Sequence, residues 1–281
     1  MESTERLTHL RFVLSPSEEQ PLPLTVESLG HNRDQEKVDR PQGYPLYHWI
    51  QTERGEGRIA YDDKTVSLPP GSGVLLIPHA PHRYAAVEGS GWETFYLTFG
   101  GSASEAILES LGMNRSAYYK WEPDTPFTRQ MQQMLRRSET DDDVFGLQLS
   151  ADAYRFLVML KKYGQLHNNA PISRNVEKLR PLIEWMEGHL ADPDIGLPEL
   201  AAVLGVSPRH LNGLFRQTFG LSPYAYFINL RIRKAKELLV MQPSAPVRQI
   251  GELVGFRDAS HFVATFRRSA SMTPDQFRRL H

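Results

Sequence analysis

Arg209 and Asn212 stand one helical turn apart, and their side chains are the two kinds that fit the edges of paired bases. A guanidinium donates to both O6 and N7 of guanine, and a carboxamide bridges N6 and N7 of adenine. Arg216 and Gln217 follow a turn later with the reach for phosphates, and Ser207 and His210 open the same stretch. A second set, displaced by 51 residues, holds Ser260, His261, Arg267 and Arg268, with Arg257 just before it. Its other outward positions, Ala259, Val263 and Ala264, carry no polar group and can touch only thymine methyls. Ser260 and His261 are its polar candidates for a base edge, and His261 is expected to be half-buried. The first set therefore points to direct base reading, the second to anchoring on phosphate. The plainer alternative is two exposed helix faces with no partner.

A different chemistry gathers in the first hundred residues. Tyr47, Trp49, Tyr84, Trp92 and Tyr96 are aromatics that could stack on a sugar ring, and His79 and His82 could hydrogen-bond a ligand or a turn. The same aromatics on strands can equally be core. His48, His79 and His82 raise a metal site, but Tyr47-His48-Trp49 lacks a His-x-His pair and the Glu that would complete a ligand set. The expectation is no metal and no cofactor. No Ser-His-Asp order, P-loop or paired-carboxylate pattern stands out, so the chain is read as no enzyme.

The elements that must position these groups differ between the two ends. Residues 1–122 alternate short β-branched and aromatic runs, such as 46–50, 73–77 and 94–99, with Gly, Pro and Asp punctuation. That pattern predicts a β-sandwich or small barrel. Past Pro126 the period becomes helical. Phe127, Met131, Met134 and Leu135 form one stripe; Phe145, Leu149, Ala153, Phe156, Leu157 and Leu160 form another. Between them Thr140-Asp141-Asp142-Asp143 offers caps for the second helix. Residues 123–166 thus read as a helical hairpin whose stripe faces the β-domain, a second subunit, or both. Residues 167–173, polar and ending near Pro171, read as a linker.

From Arg174 the chain is helical and repeats itself. Residues 200–207 match 250–257 in apolar, small and Gly positions; one residue later in register, His210-Leu211 matches His261-Phe262 and Ser222-Pro223 matches Thr273-Pro274. Gly205 and Gly255 fall where a helix must end in a left-handed residue. Ser207 and Asp258 then cap the next helix, with Pro208 in its first turn. Each copy is a helix-turn-helix, its second helix free to enter a major groove. Between them a helix over 224–240 has the stripe Phe227, Leu230, Ala235, Leu238 and Leu239 and carries Arg231, Arg233, Lys234 and Lys236. It spans about 24 Å and can act as a strut, so that both second helices meet one face of a duplex whose grooves recur every ~34 Å. The fold class is α+β multidomain, with an all-α C-terminal domain of two helix-turn-helix units over 174–281.

These residues carry a resemblance. Leu200-Ala201, residues 207–211, 214–216 and 220–223, 231–235, Ile250, Gly255-Phe256, His261-Phe262, Phe266-Arg267-Arg268 and Pro274 resemble the AraC/XylS DNA-binding domain. Two departures stand out. Ala270-Ser271 replace the aromatic and Gly usual there, which implies a looser or reshaped turn. Gly251 replaces the usual Ala, which should soften its helix by up to about 1 kcal/mol. Tyr47, residues 55–57, 69–71, 78–82 and Trp92 through Gly100 are similar to the cupin-type effector domain of many such regulators. The resemblance implies a sequence-specific transcription regulator, a sugar effector, a homodimer built on the hairpin, double-stranded DNA as partner and, for an activator, RNA polymerase.

Composition agrees and removes other classes. Hydrophobic residues are 40% and charged residues 23%, ordinary for a globular chain. The net charge of −1 hides a basic C-terminal part, 15 Lys and Arg against 10 Asp and Glu from residue 174 on. Zero cysteines exclude disulfides, thiolate zinc sites and cysteine catalysis. The polar start Met1-Glu2-Ser3-Thr4-Glu5 lacks a secretory signal and no ~18-residue apolar run occurs, so a cytoplasmic protein is expected. Two rival functions remain: a cupin-fold enzyme fused to a DNA-binding module, and a DNA-binding remodeller without ligand control.

Overall fold

A computed structural model describes residues 9–13, 22–139, 143, 146–166 and 171–281. It divides into two compact units, residues 1–173 and 174–281. Thr140, Asp141, Asp142, Phe145 and residues 167–170, which the sequence assigned to caps, a stripe and a linker, lie outside the described residues. Among the described residues no helix is long and apolar enough to cross a membrane.

The first unit has two antiparallel sheets. Its strands are β1 (His9–Val13), β2 (Thr25–Asn32), β3 (Val38–Arg40), β4 (Tyr47–Gly55), β5 (Gly57–Tyr61), β6 (Lys64–Leu68), β7 (Ser72–Leu76), β8 (His82–Ala86), β9 (Trp92–Gly100), β10 (Ala117–Lys120) and β11 (Gln165–Leu166). The larger sheet runs β1-β2-β9-β4-β7-β10-β11 and the smaller β3-β8-β5-β6. Helix α1 (Ser104–Ser110) precedes β10, and α2 (Phe127–Glu139) and α3 (Leu147–Tyr163) form the hairpin.

The larger sheet is covered on both faces, which is why its central strands read as unbroken apolar runs. Side chains alternate between faces along a strand. On β4, Tyr47 and Trp49 enter one core and Ile50 another; on β9, Phe95, Leu97 and Phe99 join the first core and Trp92 the second. The first core is closed by the hairpin stripe: Phe127, Met131, Met134, Leu135, Leu149, Ala153, Phe156, Leu157 and Leu160 are all buried in it. The hairpin therefore packs on the β-domain, one of the two options its stripe allowed. Asp143 caps α3, its carboxylate accepting from the backbone N–H of Gln148 and Leu149 at 3.1 and 2.8 Å.

The second unit is all helical: α4 (Ile172–Gly188), α5 (Leu197–Val203), α6 (Pro208–Phe219), α7 (Pro223–Met241), α8 (Val247–Leu253), α9 (Ala259–Ala270) and α10 (Pro274–Leu280). Helix α4 thus begins inside 167–173, the stretch read as linker. The pairs α5–α6 and α8–α9 are the two helix-turn-helix copies. Gly205 and Gly255 take the left-handed turn at φ +62° and +82°. Ser207 and Asp258 accept from the N–H three residues on, at 3.2 and 2.7 Å. Each copy has its own core, one around Leu200, Leu211 and Phe215, the other around Ile250, Phe262 and Phe266.

The two departures from the resembling pattern resolve physically. Gly251 lies against Phe262: a Cβ there would stand 3.0 Å from its ring, so the missing methyl admits closer packing of α8 on α9. After α9 the left-handed cap falls on Ser271 at φ +59°, the place Gly220 fills after α6 at φ +71°. The turn keeps its shape and carries the steric cost on a side chain. Ser271→Gly should therefore stabilise the second unit by about 1 kcal/mol, read from denaturant unfolding. A loss of stability would show that the serine side chain contributes more than the backbone strain removes.

Candidate nucleic-acid interface and ligand cavity

The repeat decides which helix faces point outward. In α6 the residues Leu211 and Phe215 are buried, and in α9 Phe262, Thr265 and Phe266. The opposite faces line two shallow concavities. One is formed by Ser207, Arg209, His210, Gly213, Leu214 and Gln217, the other by Ala259, Ser260, Val263, Ala264, Arg267, Arg268 and Thr273. With the 51-residue displacement, Arg209 corresponds to Ser260, Gly213 to Ala264, Arg216 to Arg267 and Gln217 to Arg268.

All four arginines at these faces, Arg209, Arg216, Arg267 and Arg268, are exposed, and none has an acidic partner among the described residues. Asn212 is half-buried beside them, and His210, Gln217 and Ser260 are exposed. His261 is exposed rather than half-buried; its ring meets Phe256 edge-on at 5.5 Å. Ser207 is exposed, and its hydroxyl oxygen already accepts from the His210 N–H as the cap of α6, leaving its proton and one lone pair for a further partner. Arg257 is ion-paired with Asp194, so its charge is in part already satisfied.

Of the four cations that the sequence places on α7, Arg231 is buried at 2% exposure, while Arg233 and Lys234 are exposed. Arg231 lies between Leu230 and Ile232, both buried. Helical periodicity alone does not tell which cation of such a run turns inward.

In the first unit a cavity of about 260 Å³ is lined by Asn32, Gln35, Glu36, Val38, Arg40, His48, Tyr84 and Tyr96. Of the sequence candidates, Tyr84 and Tyr96 are there. Tyr47 and Trp49 are not: they project from the opposite face of β4 into the hairpin core, where Tyr47 stacks on Phe99 at 5.4 Å. Trp92 is core, its indole N–H donating to Thr52 at 2.8 Å. His79 lies in the loop before β8, at φ +61°, with its N–H bonded to Tyr44 O. His48, raised with His79 and His82 for a metal site, lines the cavity because it is one residue out of phase with Tyr47 and Trp49. Asn32, Gln35 and Arg40 are additional lining residues that no sequence pattern singled out.

His82 sits one ring behind, stacked between His48 and Tyr84 at 6.1 and 6.0 Å. Its Nδ1 lies 2.8 Å from Ala80 O, and a carbonyl only accepts, so Nδ1 carries the proton. Burial lowers its pKa below the ordinary value; the Ala80 carbonyl opposes this and the nearby Arg40 charge adds to it. The unfolded chain therefore takes up this proton first. Stability contributed by neutral His82 is full above its unfolded pKa of about 6.5 and is lost as pH falls from there through the lower folded value. Unfolding of the first unit should show that acid-side slope, and His82→Gln should flatten it; an unchanged slope would place the titration elsewhere.

Comparison with known proteins follows this geometry. Residues 26–157 match the model for an AraC-like ligand binding domain, and residues 200–280 match one for a helix-turn-helix domain. The arabinose operon regulatory protein of Salmonella typhimurium is 26% identical over 255 residues, 86% of either chain. The HTH-type transcriptional activator RhaS of Escherichia coli is 28% identical over 161 residues, 56% of either chain. Among solved structures, a transcriptional regulator with an AraC-type DNA-binding domain from Chromobacterium violaceum is 34% identical, over 38% of this chain and 94% of that one, with a TM-score of 0.35.

Proposed function

This chain belongs to the AraC family of DNA-binding transcription regulators with a ligand-binding domain, and from that premise we propose how its parts divide the work. Helix α6 reads bases in a major groove, with Arg209 on guanine and Asn212 on adenine. Helix α9 anchors in the next groove, with Arg267 and Arg268 on phosphate and Ser260 as its base-edge donor. The observation that carries this reading is the pair of outward faces at matching positions, one with Arg209 where the other has Ser260. His210, Arg216 and Gln217 complete the first contact.

The effector is a sugar held in the first-unit cavity. Its lining mixes carboxamides, an arginine, a histidine and two tyrosines, donors and acceptors suited to a polyhydroxylated ligand with aromatic faces for its apolar side. The volume suits a compact ligand, being just below the ~300 Å³ lower end for drug-sized sites. The Salmonella relative is a regulatory protein of the arabinose operon. Residues 123–166 also serve as the dimer face: with its stripe in the core, α3 still exposes Leu147, Tyr154 and Val158, at 57, 49 and 39%. The regulator works on DNA in the cytoplasm, and if it is an activator, as the RhaS relative is by name, RNA polymerase is its further partner.

Two measurements test this. Sequences selected from a random duplex pool should share one strong conserved block and, about one helical turn away, a weaker one read by Ser260; a second block as strong as the first would refute the division between reading and anchoring. A thermal-shift panel of pentoses and hexoses should raise the melting point with at least one sugar, and Tyr96→Phe or His48→Ala should weaken that shift. A shift that survives both substitutions would move the ligand elsewhere, and turnover of the sugar would revive an enzyme.

A further inference from the structure

Arg231 sits at the seam of the second unit. On α7 the residues before it, Phe227 and Leu230, belong to the core of the first helix-turn-helix; those after it, Ile232, Ala235 and Leu239, belong to the core of the second. The guanidinium is buried between them. Its Nε donates to Leu190 O at 3.0 Å, an Nη donates to Asp192 O, and its Cζ lies over the ring of Phe227, 4.3 Å from the centroid. Those carbonyls belong to the loop between α4 and α5, which leads into the first copy. The turn of the second copy presses on the same spot. A Cβ on Gly255 would stand 2.3 Å from Leu190 O and 2.8 Å from an Arg231 Nη. Two surface pairs flank the joint: Arg257 with Asp194, and Arg233 with Glu187 at 2.8 Å.

Cohesion alone does not call for a buried cation, since well-packed apolar side chains usually hold such a seam as well or better. A planar fork bonded to two fixed carbonyls adds direction, which apolar contacts lack. The loop, the strut and the second turn are thereby held at one mutual orientation. We propose that Arg231 is a positioning residue that fixes the orientation of α6 relative to α9, and so sets the spacing of DNA segments the protein accepts. This rests on the reading that both helices engage DNA. Burial lowers the Arg231 pKa, opposed by Tyr224 and Asp192; the side chain nonetheless stays charged, because an arginine starts far above neutral pH.

The test uses the full chain, with duplexes selected by the wild-type protein and versions with one or two base pairs inserted between the conserved blocks. The wild type should lose on the order of 10- to 100-fold in affinity per altered spacing, the scale of a lost specific contact. Arg231→Met, checked for native helicity by circular dichroism, should bind an isolated first block within about twofold of wild type. Its insertion penalty should shrink to less than about threefold, because a freed joint lets α9 reach the displaced block. Arg231→Lys keeps the charge but not the fork and should fall between the two; it carries the test if the Met variant does not fold. An undiminished penalty in a folded variant overturns the positioning role. No penalty in the wild type removes the base contact of α9 through Ser260 that the spacing would register, and the proposal with it.

Discussion

Trp49→Ala is expected to remove about 3–5 kcal/mol from the stability of the first unit, the range for truncating a large buried aromatic. Trp49 has no solvent exposure and ties sheet to hairpin. Its ring meets Tyr119 and Trp121 at 6.0 and 5.8 Å and Phe156 of α3 edge-on at 5.3 Å. The space it occupies is reserved by Gly73 on the neighbouring strand, where a Cβ would stand 2.5 Å from the indole. Alanine would leave a cavity between two layers, and neither a sheet nor a paired helix closes it cheaply. It would also strand Gln51 Oε1, which accepts the indole N–H at 3.0 Å in a fully buried position. Denaturant unfolding followed by the fluorescence of the other tryptophans measures the loss. A change below about 1 kcal/mol would mean the hairpin does not depend on this face. Since Trp49 does not line the cavity, sugar affinity of whatever remains folded should be unaltered.

Arg209→Ala is expected to cost about 1–3 kcal/mol at its cognate base, roughly 5- to 150-fold in affinity, and to relax preference at that one position. Arg267→Ala should instead weaken all sequences alike and flatten the slope of log affinity against log salt by about one. The contrast follows from placement. Arg209 lies in the first turn of α6, the end of a recognition helix that meets base edges. Arg267 lies in the last turn of α9, and its first turn offers Ser260 where Arg209 would correspond. Both side chains are exposed, so neither substitution should disturb folding. Binding titrations at several salt concentrations, on the selected duplex and on single-base variants, separate the two effects. Equal loss of base preference from both would refute the division between reading and anchoring.

Much of the second unit was legible in the chain because its signals are local. Gly205 and Gly255 at the turns, Ser207 and Asp258 at the caps, and the stripes through Leu211, Phe215, Phe262 and Phe266 each act within a few residues. A left-handed turn or a capped N–H is a short-range event, and repetition doubled the signal. The family resemblance rests on the same residues.

The cavity was less legible because a period of two has no preferred sign. Aromatic residue type drew attention to Tyr47 and Trp49, yet on β4 only the tertiary structure says which alternate set faces the smaller sheet, and it is His48 that does. Gln35 and Arg40 come from separate short segments and meet His48 only when the sheets close. Arg231 shows the same limit on a helix: among four cations on α7, the one that turns inward is chosen by two carbonyls some 40 residues earlier.

The amino-acid order by itself determined the paired helix-turn-helix copies and the outward set of α6 and α9, since propensity, capping and periodicity are properties of neighbours along the chain; it read residues 1–122 as strands and turns, where the fold places helix α1. Which face of a twice-covered strand becomes a cavity wall, what the hairpin stripe covers, and which arginine becomes an internal joint were decided only by the fold. Those choices depend on partners distant in sequence, whose shape and carbonyl directions exist only once the chain has closed on itself.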